Sequence, residues 1–324
     1  LAHDLSGLYD FAGVPGRAAA PEPPDPFITI AALAGSVRAN MDFGIAVTDF
    51  IRRKSPDLAR ASHSLSELLN KPLNIGFGSG ESINLVPLGY GEIEKPVSLM
   101  KEELQRFVQI RDRGLYTTSG SETRLGYDSN PGRIWIGGQR DRMLRITAQY
   151  ADGWLPAWKM EAVEYADKVV ALKQQSQLYG RTPPTMGMFA ILIVGDSREQ
   201  LRSTISANPL LKAAALMASG ESWKKYGLSH PAGSDTKGLP NALLHNITPS
   251  ELYQTLCAAP NELVEEVLFL GSPEEILNQL RPYREAGLEH LLLSFPDAAA
   301  MKSGYQVDDF EAKIKAVWDQ LRQW

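Results

Sequence analysis

Pro131-Gly-Arg-Ile-Trp-Ile-Gly-Gly-Gln139, running on into Arg145-Ile-Thr-Ala-Gln-Tyr-Ala-Asp-Gly-Trp154, decides how the rest of the chain is read. Ile134, Trp135 and Ile136 form a short apolar run that reads as a buried strand. The run stops at Gly137-Gly138, and an amphipathic segment begins at Asp141. A strand, a glycine turn and a helix start gather several backbone N–H groups in one concave spot. The helix dipole adds positive potential there, so the spot suits a phosphate. The pattern points to a cofactor-using α/β enzyme and not to a binding module.

On either side of this stretch, strand and helix signals alternate. Toward the N terminus, Leu73–Phe77 reads as a strand ending in Gly78-Ser-Gly80, and Pro96–Arg113 as a helix. Before them, Met41–Thr48 reads as a strand. Ser55-Pro56 opens a helix with serine as cap and proline in the first turn. Phe27–Val37 reads as a helix, preceded by a proline-rich loop and, at Leu1–Leu8, a strand end. Toward the C terminus, Gly153–Leu155 is a brief strand, Ala162–Tyr179 a helix closed by Gly180, and Met186–Val194 a long apolar strand. Residues 209–269 break the rhythm and read as a helical insertion. Ser272-Pro-Glu-Glu275 is then a capping box, Leu291–Phe295 the last strand, and a helix closes the chain.

Such alternation builds a parallel sheet, either open and doubly wound or closed as a barrel. A dinucleotide-binding sheet opens on Gly-x-Gly-x-x-Gly. Gly76-Phe-Gly-Ser-Gly80 has the wrong spacing and is followed by Glu81, whose charge would repel a pyrophosphate. The reading is therefore a TIM (β/α)8-type barrel spanning residues 1–324 as one domain, with 209–269 inserted before the last strand.

Composition narrows the function. The chain has 324 residues, 44% hydrophobic and 22% charged, which is the balance of a folded soluble protein. Its formal net charge is -5 with no basic block, so nucleic acid and anionic membrane surfaces are poor partners. No apolar stretch approaches the roughly 20 residues that span a bilayer. Cys257 is the only cysteine, which rules out an internal disulfide and makes the reducing cytoplasm the default location. His230, His245 and His290 are too scattered for a metal site. Ser79 lacks the Gly-x-Ser-x-Gly setting of a hydrolase nucleophile.

Three motifs carry a family resemblance. Ile134-Trp-Ile-Gly-Gly with Ala151-Asp-Gly-Trp154 is one. Ile75-Gly-Phe-Gly-Ser-Gly-Glu-Ser-Ile-Asn84 is the second. Gly271-Ser-Pro-Glu-Glu275 with Tyr283-Arg-Glu-Ala-Gly-Leu288 is the third. Together they span most of the chain, in the family's order along the sequence, and resemble the luciferase-like superfamily of flavin- and deazaflavin-dependent oxidoreductases. The Gly-Ser-Gly-Glu-x-x-Asn form resembles the branch using the deazaflavin coenzyme F420. Trp223–Gly233 and Ala259–Glu275 resemble its phthiodiolone ketoreductase-type members.

The resemblance implies a barrel with its site at the C-terminal ends of the strands, and hydride transfer between reduced F420 and a small-molecule or lipid-like carbonyl substrate. It also implies a homodimer. FMN-dependent monooxygenation and a non-catalytic barrel homologue are the alternatives. Gly137, Gly138, Gln139 and Arg140 would cradle the coenzyme's phosphate, with an unliganded strand-to-helix turn as the plainer reading. Ala46, Val47 and Thr48 end a strand where the family often has a non-proline cis peptide against the coenzyme ring. Ser79, Gly80 and Glu81 follow another strand, and Glu81 is the first candidate for the acid that protonates the substrate. His3 and Asp4 stand, in inverted order, where the family often carries Asp-His, and are the other catalytic candidates, with Asp4 also at the ring. Family members have a strand, a helix and a second strand before that point, so the chain is expected to begin in mid-structure. The apolar residues Leu210, Leu211, Leu216 and Met217 suit part of a substrate wall.

Overall fold

A computed structural model describes residues 25–34, 42–86, 88–91, 93–118, 120–124, 132–157, 159–238, 247–294 and 310–324. In chain order the elements are α1 (Pro26–Ala34), β1 (Gly44–Thr48), α2 (Ser55–Leu69), β2 (Asn74–Phe77), α3 (Ser82–Leu85), α4 (Pro96–Arg113), β3 (Leu115–Thr118) and β4 (Ser121–Arg124). Then come β5 (Ile134–Ile136), α5 (Asp141–Tyr150), β6 (Gly153–Trp154), α6 (Ala162–Leu178), β7 (Thr185–Val194) and α7 (Arg198–Ala207). A 3-10 helix (Pro209–Met217), α8 (Gly220–Lys225), α9 (Pro249–Ala258) and α10 (Asn261–Glu265) follow. Last are β8 (Phe269–Gly271), α11 (Pro273–Glu285), β9 (His290–Ser294) and α12 (Phe310–Leu321). The chain divides into two compact units, the first holding 19–156 and 170–186, the second 157–169 and 187–324.

In the first unit β1, β2, β5 and β6 pair side by side, all parallel, and β6 pairs with the first two residues of β7. Parallel pairing requires a crossover between strands, and α2 and α5 supply crossovers within this unit. The strands read as continuous apolar runs because helices cover them: Ile134, Trp135 and Ile136 are all buried. Phe77 stacks on Phe50 at a ring-centroid distance of 4.5 Å and meets Phe107 of α4 edge-on at 5.0 Å. Each buried phenylalanine contributes ~1.5–3 kcal/mol through lost apolar surface. In the second unit the rest of β7 pairs in parallel with β9 through Gly187–Ile191 and with β8 through Leu192–Val194.

Among the described residues the pattern-based elements occur close to their expected bounds, Leu1–Leu8 lies outside those residues, and several local details differ, including the unexpected α3 and β8. Ser55 is not the cap of α2: Lys54 holds that position and offers no side-chain bond. Ser55 is buried and its amide donates to the Glu103 carboxylate of α4 at 3.0 Å, so the helix start is capped from a different helix. Burial pushes the Glu103 carboxyl up, but hydrogen bonds from Ser55 and the nearby Arg106 outweigh it and hold the group below its usual value. Helix α7 was not legible because its face is short and mostly polar. The antiparallel β3–β4 hairpin was not legible either, since Ser121–Arg124 are all exposed and lack alternation. The capping box at Ser272 forms as expected, with both reciprocal bonds present.

Candidate active site

Parallel register puts the predicted segments on one edge. Thr48 pairs with Phe77, Phe77 with Ile136, and Ile136 with Trp154, so four strands end at one level. The next residues continue the ladder: Gly78 N–H donates to Thr48 O at 2.8 Å, Gly137 N–H to Phe77 O at 3.1 Å, and Leu155 N–H to Ile136 O at 2.9 Å. Sequence positions some 30 and 60 residues apart thus meet at the C-terminal ends of adjacent strands, where α/β sheets bind ligands.

Val47 is the hub of this edge. The Ala46–Val47 peptide is cis, at the place the family resemblance implied, and the β1–β2 register shifts there. The Val47 methyls lie against the backbones of Gly78 and Gly137, where an added Cβ would come within 3.1 and 3.5 Å of them. Ala46 and Val47 are half-buried and Thr48 is buried. Ser79, Gly80 and Glu81 follow β2 and are likewise half-buried. Gly80 has φ 86°, a region open to glycine, and Ile51 and Leu85 pack where its side chain would be. Glu81 is the N-cap residue of the short α3 but makes no capping bond from its side chain.

The Gly137-Gly138 turn is set by packing. A Cβ on Gly138 would fall 2.4 Å from Met143 Cβ, so only glycine lets α5 start this close to β5. The Gly138 carbonyl accepts the indole N–H of Trp154 at 2.8 Å. Gln139 is half-buried and Arg140 exposed. Arg140 occupies the N-cap position of α5 and its side chain makes no cap bond, and the first-turn amides of a helix have no acceptor within the helix itself. Arg142 reaches Ser98 Oγ at 2.8 Å. The uncapped helix start and the flanking arginines fit an anionic group, while the exposed Asp141 carboxylate opposes one. His3 and Asp4 lie outside the described residues.

Asp152, in the same Ala-Asp-Gly-Trp motif as Trp154, does its work at the opposite end of the strands. Its carboxylate accepts from Ile134 N–H at 2.9 Å and pairs with Arg111 and Arg181, each at 3.2 Å. A cleft of about 660 Å³ lined by Arg111, Arg133, Asp152, Arg181 and Thr185 lies there, at the entering ends of β5 and β7. Residues at that end of a barrel serve stability. What sequence reasoning passed over are the contacts of Val47 with both glycine turns, Met143 under the turn, and the acceptor of the Trp154 N–H. Only the last left a signal, because a buried indole N–H requires an acceptor. Among the described residues no cluster of His, Cys, Asp or Glu could hold a metal, and no helix is long and apolar enough to cross a membrane.

The family model described as luciferase-like monooxygenase matches residues 7–290. The chain belongs to this family. This luciferase-like chain is 27% identical over 286 residues to the phthiodiolone/phenolphthiodiolone dimycocerosates ketoreductase of Mycobacterium tuberculosis, covering 83% of this chain and 73% of the relative. It is 22% identical over 267 residues to the 5,10-methylenetetrahydromethanopterin reductase of Archaeoglobus fulgidus, covering 78% and 76%. Its fold superposes on the coenzyme F420-dependent tetrahydromethanopterin reductase of Methanopyrus kandleri with a TM-score of 0.66 at 14% identity, covering 90% and 85%. The fold is therefore the α/β fold of the luciferase-like TIM-barrel proteins, and the chain is an oxidoreductase of that family.

Proposed function

We propose that this luciferase-like oxidoreductase reduces a carbonyl substrate with the deazaflavin coenzyme F420. The observation carrying this reading is the common level of Thr48, Phe77 and Ile136, with the Gly78 and Gly137 turns just beyond it, beside a helix start without a side-chain cap. When bound, the coenzyme would supply the hydride. The first-turn amides of α5, with Gly137–Arg140, would hold its anionic tail. Ala46–Thr48 would back its ring. Glu81 would hold the proton that a reduced carbonyl oxygen requires, with Asp4 and His3 as the other proton carriers near the ring. A relative named for a dimycocerosate lipid favours a lipid-like carbonyl over a compact polar one. A homodimer in the cytoplasm is the assembly and location that accompany the proposal.

The family description as monooxygenase favours a second reading, with FMN in the same cradle. Separate titrations of the protein with F420 and with FMN decide between them. Binding of F420 with weak or no FMN binding supports the proposal. Tight FMN binding without F420 binding supports the monooxygenase reading. No binding of either at micromolar concentration leaves the non-catalytic homologue.

A further inference from the structure

We propose that the Thr48 hydroxyl is a coenzyme-binding group, which hydrogen-bonds the polar edge of the ring and fixes how that ring lies on the end of β1. Thr48 is only 5% exposed. Among the described residues its hydroxyl meets no donor or acceptor within the protein. It is alone in this: the other buried hydroxyls there, on Ser55, Ser66, Thr147, Ser176 and Thr236, all donate to protein oxygens. Nor is the Thr48 oxygen enclosed. The fully enclosed side-chain atoms without a partner, among the described residues, are Gln175 Oε1 and Asn261 Oδ1. Thr48 thus carries, in a nearly buried residue, an unpaired hydroxyl that still opens to the outside.

A hydroxyl left without a partner in such a place costs free energy unless a group from outside bonds it. The backbone on either side is tied, so the loop does not swing round to supply that partner. Thr48 O accepts Gly78 N–H at 2.8 Å, and the buried Asp49 carboxylate accepts the amides of Ile51 and Arg52, each at 2.9 Å. The neighbouring Val47 lays its methyls against Gly78 and Gly137. An apolar rest next to one open hydroxyl suits a flat ring with a polar edge. A hydroxyl both donates and accepts. It therefore matches the pyrimidinedione edge shared by F420 and FMN, which carries carbonyl oxygens and an imide N–H.

The inference rests on the reading that the coenzyme ring lies at Ala46–Thr48, and one set of variants separates the two. Wild type, Thr48→Val and Thr48→Ser are titrated calorimetrically with F420 and with FMN, and each is unfolded in urea without ligand. Valine keeps the shape and loses the hydroxyl, whereas serine keeps the hydroxyl. The affinity of Thr48→Val for whichever coenzyme the wild type binds should fall about five- to tenfold, the worth of one hydrogen bond. Thr48→Ser should bind within about twofold of wild type. The urea midpoint of Thr48→Val should equal or exceed that of wild type, because no bond within the protein is lost. A hydroxyl that served the fold would lower it. Wild-type affinity in Thr48→Val, an equal loss in Thr48→Ser, or a lowered midpoint in Thr48→Val overturns the inference while leaving the coenzyme reading intact. Wild type that binds neither coenzyme overturns both.

Discussion

Gly138→Ala tests the geometry on which the site depends. The added methyl would sit 2.4 Å from Met143 Cβ, 2.5 Å from its Cγ and 2.7 Å from its Cε. Carbon atoms prefer separations of about 3.5–4.0 Å, so the methyl overlaps its neighbour by over 1 Å. The nearest atom is the root of the Met143 side chain, and no rotamer change moves it. Relief requires the first turn of α5 to back away from β5, and overpacking of this kind costs ~1–3 kcal/mol. The same movement pulls the Gly138 carbonyl off the Trp154 indole, adding ~1 kcal/mol. Urea unfolding of Gly138→Ala should therefore lose about 2–4 kcal/mol, and coenzyme affinity should fall because the amides move. Met143→Ala should not rescue it, since alanine keeps the offending Cβ. A Gly138→Ala protein as stable as wild type, or one restored by Met143→Ala, would refute the packing argument.

Two further outcomes are expected. Glu81→Gln should lower turnover by ~100-fold or more with coenzyme affinity nearly unchanged, as for loss of a general acid; steady-state kinetics beside a binding titration read both, and unaltered turnover removes Glu81 from that role. His230 is buried, with Nε2 3.1 Å from Leu216 O and Nδ1 accepting the Ala232 amide at 3.0 Å, and burial holds its pKa below 6.5. Below pH ~6.5 the unfolded chain takes up a proton that the folded imidazole refuses, so stability present above that pH is lost as pH falls, at no more than ~1.4 kcal/mol per unit. The urea midpoint should drop more between pH 7.5 and 5.5 in wild type than in His230→Gln; equal slopes would dismiss the histidine.

Much of the architecture was legible because its signals are local. Ile134–Ile136 is a buried run closed by two glycines, and Ser272-Pro-Glu-Glu275 caps its own helix within four residues. Elements lacking such signals escaped notice. The β3–β4 hairpin has no buried face to impose alternation, and β8 is only three residues long. Ser55 looked like a cap because serine often is one, yet its partner Glu103 lies 48 residues away on another helix. The candidate site was legible as separate segments, two of them glycine turns, but not as neighbours in space.

By itself, then, the order of residues determined the long apolar strands of the parallel sheet, where the glycine turns fall, and the family to which the chain belongs. Each of these depends on neighbours within a few positions, or on motifs whose order along the chain is enough. Only the tertiary structure decided that Thr48, Phe77, Ile136 and Trp154 end at one level, that Val47 touches two glycine turns, and that the Trp154 indole donates to the Gly138 carbonyl. Register and hydrogen-bond direction are properties of pairs of strands, and no single stretch of chain encodes both partners.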